Sequence, residues 1–183
     1  MKHFGHDLSD EEIRGIAGDS PVMLEIGSHE GADTVKFLAA MPGIRLYCFE
    51  PYQPPIVRFK QAVGDDDRVS LYEKAVADCD GPALFYASTG KAGDRKDWDF
   101  SGSLRKPTGH FKRSPEILFK PPEPVPCTRL DTWLASNPHI HAIDFIWADV
   151  QGGQRALIAG GRRALAIARY LYIECHSTPL YDG

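Results

Sequence analysis

An α/β fold with a doubly wound, mostly parallel sheet is predicted by three features of this 183-residue sequence. Short apolar runs that end at a glycine or an acidic residue alternate with segments of helical spacing. Hydrophobic residues make up 43% of the chain and charged residues 25%, as is typical of a chain that buries one core. The sequence shows no internal repeat, and we expect a single domain over residues 1–183.

The first half of the chain predicts helices and strands in alternation. Ser9 is a suitable N-cap for an opening helix, because acidic residues follow it in the first turn. The apolar runs then predict strands over residues 22–26, 45–50 and 68–76, separated by helices over residues 33–40 and 54–63.

The second half contains a long irregular segment. A short strand is predicted over residues 83–86, and the pattern then fails from about residue 88 to 126. Regular structure is predicted again as a strand over 143–150, a helix over 154–168 and a strand over 170–175. A loop of this length inside a compact domain usually carries function or is mobile.

The turn after the first strand has the composition of a cofactor loop. In a doubly wound sheet, ligands bind beyond the carboxyl ends of the strands, where this turn lies. Glycine permits positive φ and lets the backbone approach a ligand without a Cβ in the way. We therefore expect a cofactor to contact the residues of this turn, namely Glu25, Gly27, Ser28, His29 and Gly31.

Glu50 is the predicted partner of this turn. It ends the second strand 23 residues after Gly27, and Pro51 follows it directly; we expect both residues to contact the cofactor. A carboxylate there can accept hydrogen bonds from both hydroxyls of an adenosine ribose. The alternative is an acid that merely ends a strand at the surface.

The turn suits S-adenosylmethionine better than a dinucleotide. A dinucleotide loop needs Gly-x-Gly-x-x-Gly, since the middle glycine lets the backbone meet the pyrophosphate. His29 and Ala32 stand at the second and third of those positions. S-adenosylmethionine has no pyrophosphate, so an NAD-dependent oxidoreductase is the disfavoured alternative.

Charge, cysteine usage and hydropathy exclude other classes. The formal net charge is −4, so a role in coating nucleic acid is not expected. The four cysteines form no CxxC pair, and we predict no metal site. The N-terminal region is polar and no apolar stretch reaches membrane-spanning length, which predicts a cytoplasmic protein without a membrane partner.

Several sequence blocks follow one another in the order found in a known family. The most specific is IDFIWADVQG at residues 143–152, which is similar to IDFIKIDVEG. The others are the loop at 22–31, the strand end at 47–51, the segment Lys74-Ala75-Val76-Ala77-Asp78, the motif Ser101-Gly102-Ser103-Leu104, the segment at 128–134 and a closing E-x-H strand at 172–176. In this order they resemble the FkbM-type methyltransferases, over roughly residues 20–176.

The resemblance implies a Rossmann-like fold of the class I methyltransferase type, with S-adenosylmethionine as cofactor. It implies methyl transfer to a hydroxyl of a small molecule, sugar or glycan. Ala75 and Val76 are then expected to border the adenine, and Ser103 and the nearby Arg105 to contact the acceptor.

The irregular segment is a candidate lid. Between residues 91 and 120 there are eight lysine and arginine residues and only four acidic residues. The aromatic residues Trp98, Phe100 and Phe111 lie among these charges. A lid over a polar or anionic acceptor, such as a sugar or phosphorylated glycan precursor, is one interpretation. A solvated loop and a nucleic-acid-binding patch are the alternatives.

Three residues at strand ends are candidates for the chemistry. Asp149 ends the strand at 143–150 and could orient the acceptor or accept its proton. It could instead cap the following helix. Glu174 and His176 alternate at the end of the last strand, so the acid could orient the imidazole.

The chain departs from the family pattern at three positions. Trp147, Gln151 and Gln154 stand where the family has Lys, Glu and Glu. Amides cannot act as bases. The sequence also ends at Gly183, before the antiparallel strand pair that closes a full fold of this class, so we expect that pair to be lacking. A truncated or degenerate fold that binds the cofactor without turnover is the resulting alternative.

Overall fold

The computed structural model describes residues 8–91, 93 and 96–182, so Arg95 of the candidate lid at residues 91–120 lies outside the described residues. In chain order the elements are α1 (Asp10–Ala17), β1 (Val22–Ile26), α2 (Ala32–Ala40), β2 (Arg45–Phe49), α3 (Gln53–Val63), β3 (Val69–Tyr72), β4 (Ala75–Ala77), β5 (Gly81–Phe85), β6 (Ser88–Gly90), α4 (His110–Arg113), β7 (Ile117–Phe119), β8 (Glu123–Arg129), α5 (Leu130–Ala135), β9 (Ile143–Ala148), α6 (Gln154–Gly160), α7 (Arg162–Ala166) and β10 (Ala168–Ile173). None of the helices in the described ranges is long and apolar enough to cross a membrane.

The central sheet has five parallel strands in the order β10-β9-β1-β2-β3. The chain runs outward from β1 to β3 and later adds β9 and β10 on the other side of β1. The topological switch point therefore lies between β1 and β9, where ligands of doubly wound sheets bind. The predicted doubly wound parallel sheet is confirmed.

Apolar side chains cover both faces of this sheet. Met23 packs with Ile13 of α1 and Phe37 of α2 on one face. On the other face, Leu24 packs with Leu157 of α6. Side chains alternate along a strand, so neighbouring residues of β1 serve the two cores in turn. The predicted cap of α1 is confirmed, and Ser9 forms a reciprocal capping box with Glu12.

Two predicted elements are each divided in the structure. The strand at 68–76 is two strands, because the Lys74 N–H donates to the Tyr72 carbonyl at 2.8 Å and this narrow turn sends β4 out of the main sheet. The helix at 154–168 is α6 followed by α7. A Cβ at Gly160, where α6 ends, would lie 2.0 Å from the backbone oxygen of Ala77, so glycine permits the contact between α6 and β4.

The prediction of an irregular segment over 88–126 is wrong in part. It contains α4, the antiparallel pair of β6 and β7, and the first half of β8. β8 is the middle strand of a second sheet, β4-β8-β5. Pro124 and Pro126 hide the strand β8 in the sequence, because proline is rare in strands. In this part of β8 the only paired neighbour is β5, so the opposite edge of the strand forms no ladder there. A proline whose missing N–H would point to that edge costs no hydrogen bond.

Candidate active site

A cavity of about 540 Å³ opens at the switch point. The turns after β1, β2 and β9 supply Gly27, Glu50 and Asp149 to its wall. Residues 99, 100 and 102–106 of the long connection between β6 and α4 form another part of the wall. The sheet thus brings together the three strand-end residues on which the predicted cofactor and acceptor sites depend.

The turn after β1 depends on glycine. Gly27 has a φ of 88°, and a Cβ there would lie 2.0 Å from the backbone oxygen of Asp149. This close approach joins the ends of β1 and β9 at the floor of the cavity. His29 follows with a φ of 48°, and its side chain lines the cavity.

Three other residues of the predicted cofactor loop lie outside the cavity wall. Glu25 is 2% exposed, and its carboxylate accepts a hydrogen bond from the Thr34 hydroxyl at 2.6 Å. Ser28 is buried, with its hydroxyl 3.4 Å from the Phe49 carbonyl oxygen. Gly31, with a φ of 81°, is the N-cap of α2. These residues hold the turn in place.

Glu50 is 5% exposed and anchors the turn through its carboxylate. One oxygen accepts the backbone N–H of His29 at 3.0 Å, and the other accepts that of Tyr52 at 2.9 Å. Burial raises the pKa of this carboxyl to about 7 in spite of these hydrogen bonds. Each carboxylate oxygen has more than one lone pair, so further donors can still bind.

An apolar compartment adjoins Glu50. Pro51, Ala75 and Val76 line it, and their expected contact with a cofactor stays a prediction. Phe85 of β5 and Ala156 of α6, which the sequence did not indicate, complete this part of the wall. Because β4 has left the main sheet, its residues face the cavity edge instead of extending the sheet. The compartment is suited to a flat aromatic base.

Polar groups occupy the part of the cavity near Asp149. Ser103 and Arg105 belong to the wall of the same cavity, and their expected contact with an acceptor stays a prediction. Asp149 does not cap α6, whose N-cap is Gly153. Its carboxylate instead accepts a hydrogen bond from the Gln151 side-chain amide at 2.7 Å. Burial is the main cause that raises the pKa of Asp149, to about 7.

Glu174 and His176 lie together beyond β10 but outside the cavity wall. The nearest approach between the carboxylate of Glu174 and Nε2 of His176 is 3.9 Å. The charge of Glu174 is nevertheless close enough to help raise the pKa of Asp149. A direct catalytic role for this pair stays a prediction.

A polar contact between distant segments was missed by the sequence interpretation. Asp99 bonds to Nε2 of His29 at 3.1 Å and accepts from Arg58 of α3 at 2.5 Å. The Phe100 ring lies 4.1 Å from the His29 ring. The contact holds the β6–α4 connection against the turn after β1. No periodicity or motif marks Asp99, because its partners are 41 and 70 residues away.

Trp147, one of the departures from the family pattern, does not face the cavity. Its ring stacks on Tyr172 at 4.2 Å and meets Phe37 edge-on, on the α2 side of the sheet. Gln154 donates to the Glu174 carbonyl at 2.7 Å. Of the three departures, Gln151 alone has a side chain bonded to a cavity acid.

Glu25 makes stability depend on pH. Burial raises its pKa to about 8, whereas the carboxyl of an unfolded glutamate titrates near pH 4, at about 4.3. Between about pH 5 and 8 the folded protein therefore binds the extra proton, and the free energy of unfolding falls as the pH rises. The difference in free energy of unfolding between Glu25→Gln and the wild type is therefore expected to shift in favour of the variant as the pH rises over this range, by up to about 1.4 kcal/mol per pH unit.

Chemical denaturation at several pH values checks this expectation. The exposed Glu116 gives a matched control, because its side chain is in contact with water in both the folded and the unfolded protein. The Glu116→Gln variant is expected to stay within about 0.5 kcal/mol of the wild type, as is usual for a surface substitution. A pH-independent difference in stability between Glu25→Gln and the wild type would contradict the expectation.

Comparison with known proteins agrees with this geometry. The family model of the methyltransferase FkbM domain matches residues 25–183, from the end of β1 onward. The chain belongs to the FkbM methyltransferase family. The 2-O-methyltransferase NoeI of Sinorhizobium fredii is similar to it, with 40% identity over 163 residues. These residues are 89% of this chain and 66% of that relative, so the chain spans just under two thirds of the relative's length.

Proposed function

We propose that the chain binds S-adenosylmethionine at the switch point and transfers its methyl group to a hydroxyl of a small molecule, sugar or glycan. The observation that carries the proposal is the convergence of Gly27, Glu50 and Asp149 on one cavity. Membership of the FkbM family and the similarity to a 2-O-methyltransferase support it.

The cavity walls suit the parts of this cofactor. Glu50 can accept hydrogen bonds from the ribose hydroxyls, and Ala75, Val76 and Phe85 can cover the adenine. The pKa values of Glu50 and Asp149 are both raised to about 7, which means that the cavity disfavours their charged forms unless a cation enters. S-adenosylmethionine, with its sulfonium and its ammonium group, provides positive charge.

The turn after β1 does not suit a dinucleotide. His29 lines the cavity where a dinucleotide loop has its middle glycine, so a side chain stands where the backbone would meet the pyrophosphate. An NAD-dependent oxidoreductase therefore stays the disfavoured alternative.

The residues near Asp149 are suited to a hydroxyl acceptor. When bound, S-adenosylmethionine supplies a methyl group that its sulfonium already activates. We infer that the chain holds the acceptor hydroxyl in line, with Ser103 and Arg105 as polar contacts. Asp149 then orients the hydroxyl and accepts its proton. Arg105 and Lys106 together favour a polar or anionic acceptor.

Asp149→Asn is expected to lower methyl transfer by about 100-fold or more while cofactor binding stays within a few-fold of the wild type. An amide keeps the shape but cannot accept the proton. Transfer is measured from methyl-labelled S-adenosylmethionine to neutral sugars, phosphorylated sugars and a metabolite extract. Affinity is measured by calorimetry with S-adenosylhomocysteine.

The outcomes separate the candidate functions. Binding of S-adenosylhomocysteine without methyl transfer to any acceptor would favour the alternative of a binding protein without turnover. Thermal stabilisation by NADH but not by S-adenosylhomocysteine would revive the oxidoreductase. Full activity of Asp149→Asn would show that Asp149 is not the base.

A further inference from the structure

The Asp149 carboxylate is held by a short series of hydrogen bonds. Gln151 donates from its side-chain nitrogen to Oδ1 of Asp149 at 2.7 Å. Its amide oxygen accepts from the Tyr181 hydroxyl at 2.9 Å, and that hydroxyl also lies 3.0 Å from the Ser101 carbonyl oxygen. The series joins the turn after β9, the C-terminal segment and the β6–α4 connection.

The turn that carries Gln151 is fixed from several sides. Gln151 has a φ of 42°, an uncommon conformation for a non-glycine residue. Its carbonyl accepts a hydrogen bond from the Ser103 hydroxyl at 2.5 Å. Gly152 follows with a φ of 89°, and a Cβ there would lie 2.8 Å from the side chain of Tyr181. The amide of Gln151 therefore has little freedom to leave Asp149.

Three acids from other elements act on Asp149, whereas Arg105 and Lys106 line the same cavity without an ion pair to it. The acids whose charges act on it come from the ends of β10 and β2 and from α2, and they are Glu174, Glu50 and Asp33. Within the described part of the chain, no lysine, arginine or histidine forms an ion pair with Asp149. Gln151 is thus the side chain that donates a hydrogen bond to the charged form of Asp149.

The neutral amide matters because an acid at this position would compete for a proton. Two carboxyl groups within 2.7 Å cannot both ionise readily, so they share one proton and one of them titrates at a higher pH. An amide of the same length donates instead. The Tyr181 hydroxyl donates to the amide oxygen of Gln151, and the amide nitrogen then faces Asp149.

We propose that Gln151 is a positioning residue, oriented by Tyr181, that keeps Asp149 ionised and leaves its Oδ2 for the acceptor hydroxyl. In the described residues no group bonds to Oδ2. The proton of the acceptor hydroxyl passes to Asp149 and from there to water. This role rests on the proposed function. In this role the amide of Gln151 contributes to methyl transfer, whereas the alternative takes it as a sign that activity has been lost.

The decisive variant is Gln151→Glu, which restores the residue type that the family resemblance has at this position. It is expected to raise the pH at which Asp149 ionises by at least about one unit, and to raise the acid limb of the pH profile of kcat by the same amount. The Asp149 titration is followed by carboxyl-carbon NMR, assigned with Asp149→Asn. Gln154→Glu is the matched control, because Gln154 donates to a backbone carbonyl and not to Asp149.

Tyr181→Phe gives a second measurement. It removes the hydroxyl that orients the amide and keeps the ring that packs on Gly152. Methyl transfer is expected to fall about five- to tenfold, with the affinity for S-adenosylhomocysteine and the melting temperature close to wild type. Tyr170→Phe, at an exposed ring, is expected to change nothing.

The proposal is overturned if Gln151→Glu leaves the Asp149 titration where it is in the wild type, or if Gln154→Glu shifts it equally. Absence of methyl transfer by the wild-type protein would count against the proposed function. It would not affect the NMR titration, which tests the pairing of Gln151 with Asp149 by itself.

Discussion

Glu50→Ala is expected to weaken the binding of S-adenosylhomocysteine by at least about 100-fold, or about 2.7 kcal/mol. The proposed hydrogen bonds to the ribose hydroxyls are charge-assisted, and such bonds are among the strongest in proteins. The change also removes the acceptor for the backbone N–H groups of His29 and Tyr52. The turn after β1 then loses its anchor together with the ligand contact. Calorimetric titration with S-adenosylhomocysteine measures the effect.

Two further variants separate these contributions. Glu50→Gln keeps the length of the side chain and one acceptor oxygen, but its amide nitrogen cannot accept the second backbone N–H. We therefore expect its affinity and its melting temperature to lie between those of the wild type and Glu50→Ala. Glu116→Ala, at an exposed acid between α4 and β7, is expected to bind like the wild type. Wild-type affinity in Glu50→Ala would remove this residue from the proposed cofactor site.

Gly27→Ala is expected to destabilise the fold by roughly 3 kcal/mol or more. The added Cβ would lie 2.0 Å from the Asp149 carbonyl oxygen, so the ends of β1 and β9 must separate. The positive φ of 88° is an added cost for a residue with a Cβ. For a chain of this size such a loss lowers the melting temperature by roughly 6–12 °C. Thermal unfolding checks the prediction, and cofactor binding should be lost with it.

Gly15→Ala is the matched control. Gly15 lies inside α1, and nothing is within 4 Å of the place that its Cβ would occupy. Alanine is a better helix former than glycine, so this variant is expected to gain about 0.5–1 kcal/mol. If both variants melted at the same temperature, the tight contact between Gly27 and Asp149 would not be important for stability.

Several parts of the fold were predictable because their signals are local. The strands β1, β2 and β9 are apolar runs of ordinary strand length, and turn residues follow them directly. Ser9 and the prolines at the start of α3 mark helix starts through their own backbone chemistry. Each of these features depends on neighbours within a few residues, so the sequence alone reveals it.

Other parts depend on contacts that no local pattern records. β8 is a strand because it pairs along one edge with β5, although its prolines indicate a loop. Asp99 reaches His29 and Arg58 only because residues 99, 100 and 102–106 line the cavity beside the turn after β1. Tyr181 lies in a segment without periodicity, and its hydrogen bond to Gln151 spans 30 residues.

The sequence by itself determined that Gly27, Glu50 and Asp149 meet, because all three follow parallel strands and the carboxyl ends of such strands share one edge. It did not determine which side chains face the cavity at that edge. Glu25 turns toward Thr34, and Glu174 with His176 stays outside the wall, whereas Gln151 turns inward to Asp149. Only the tertiary structure decided this. A side chain's direction beyond a strand end follows from the turn and from the distant segments that pack on it.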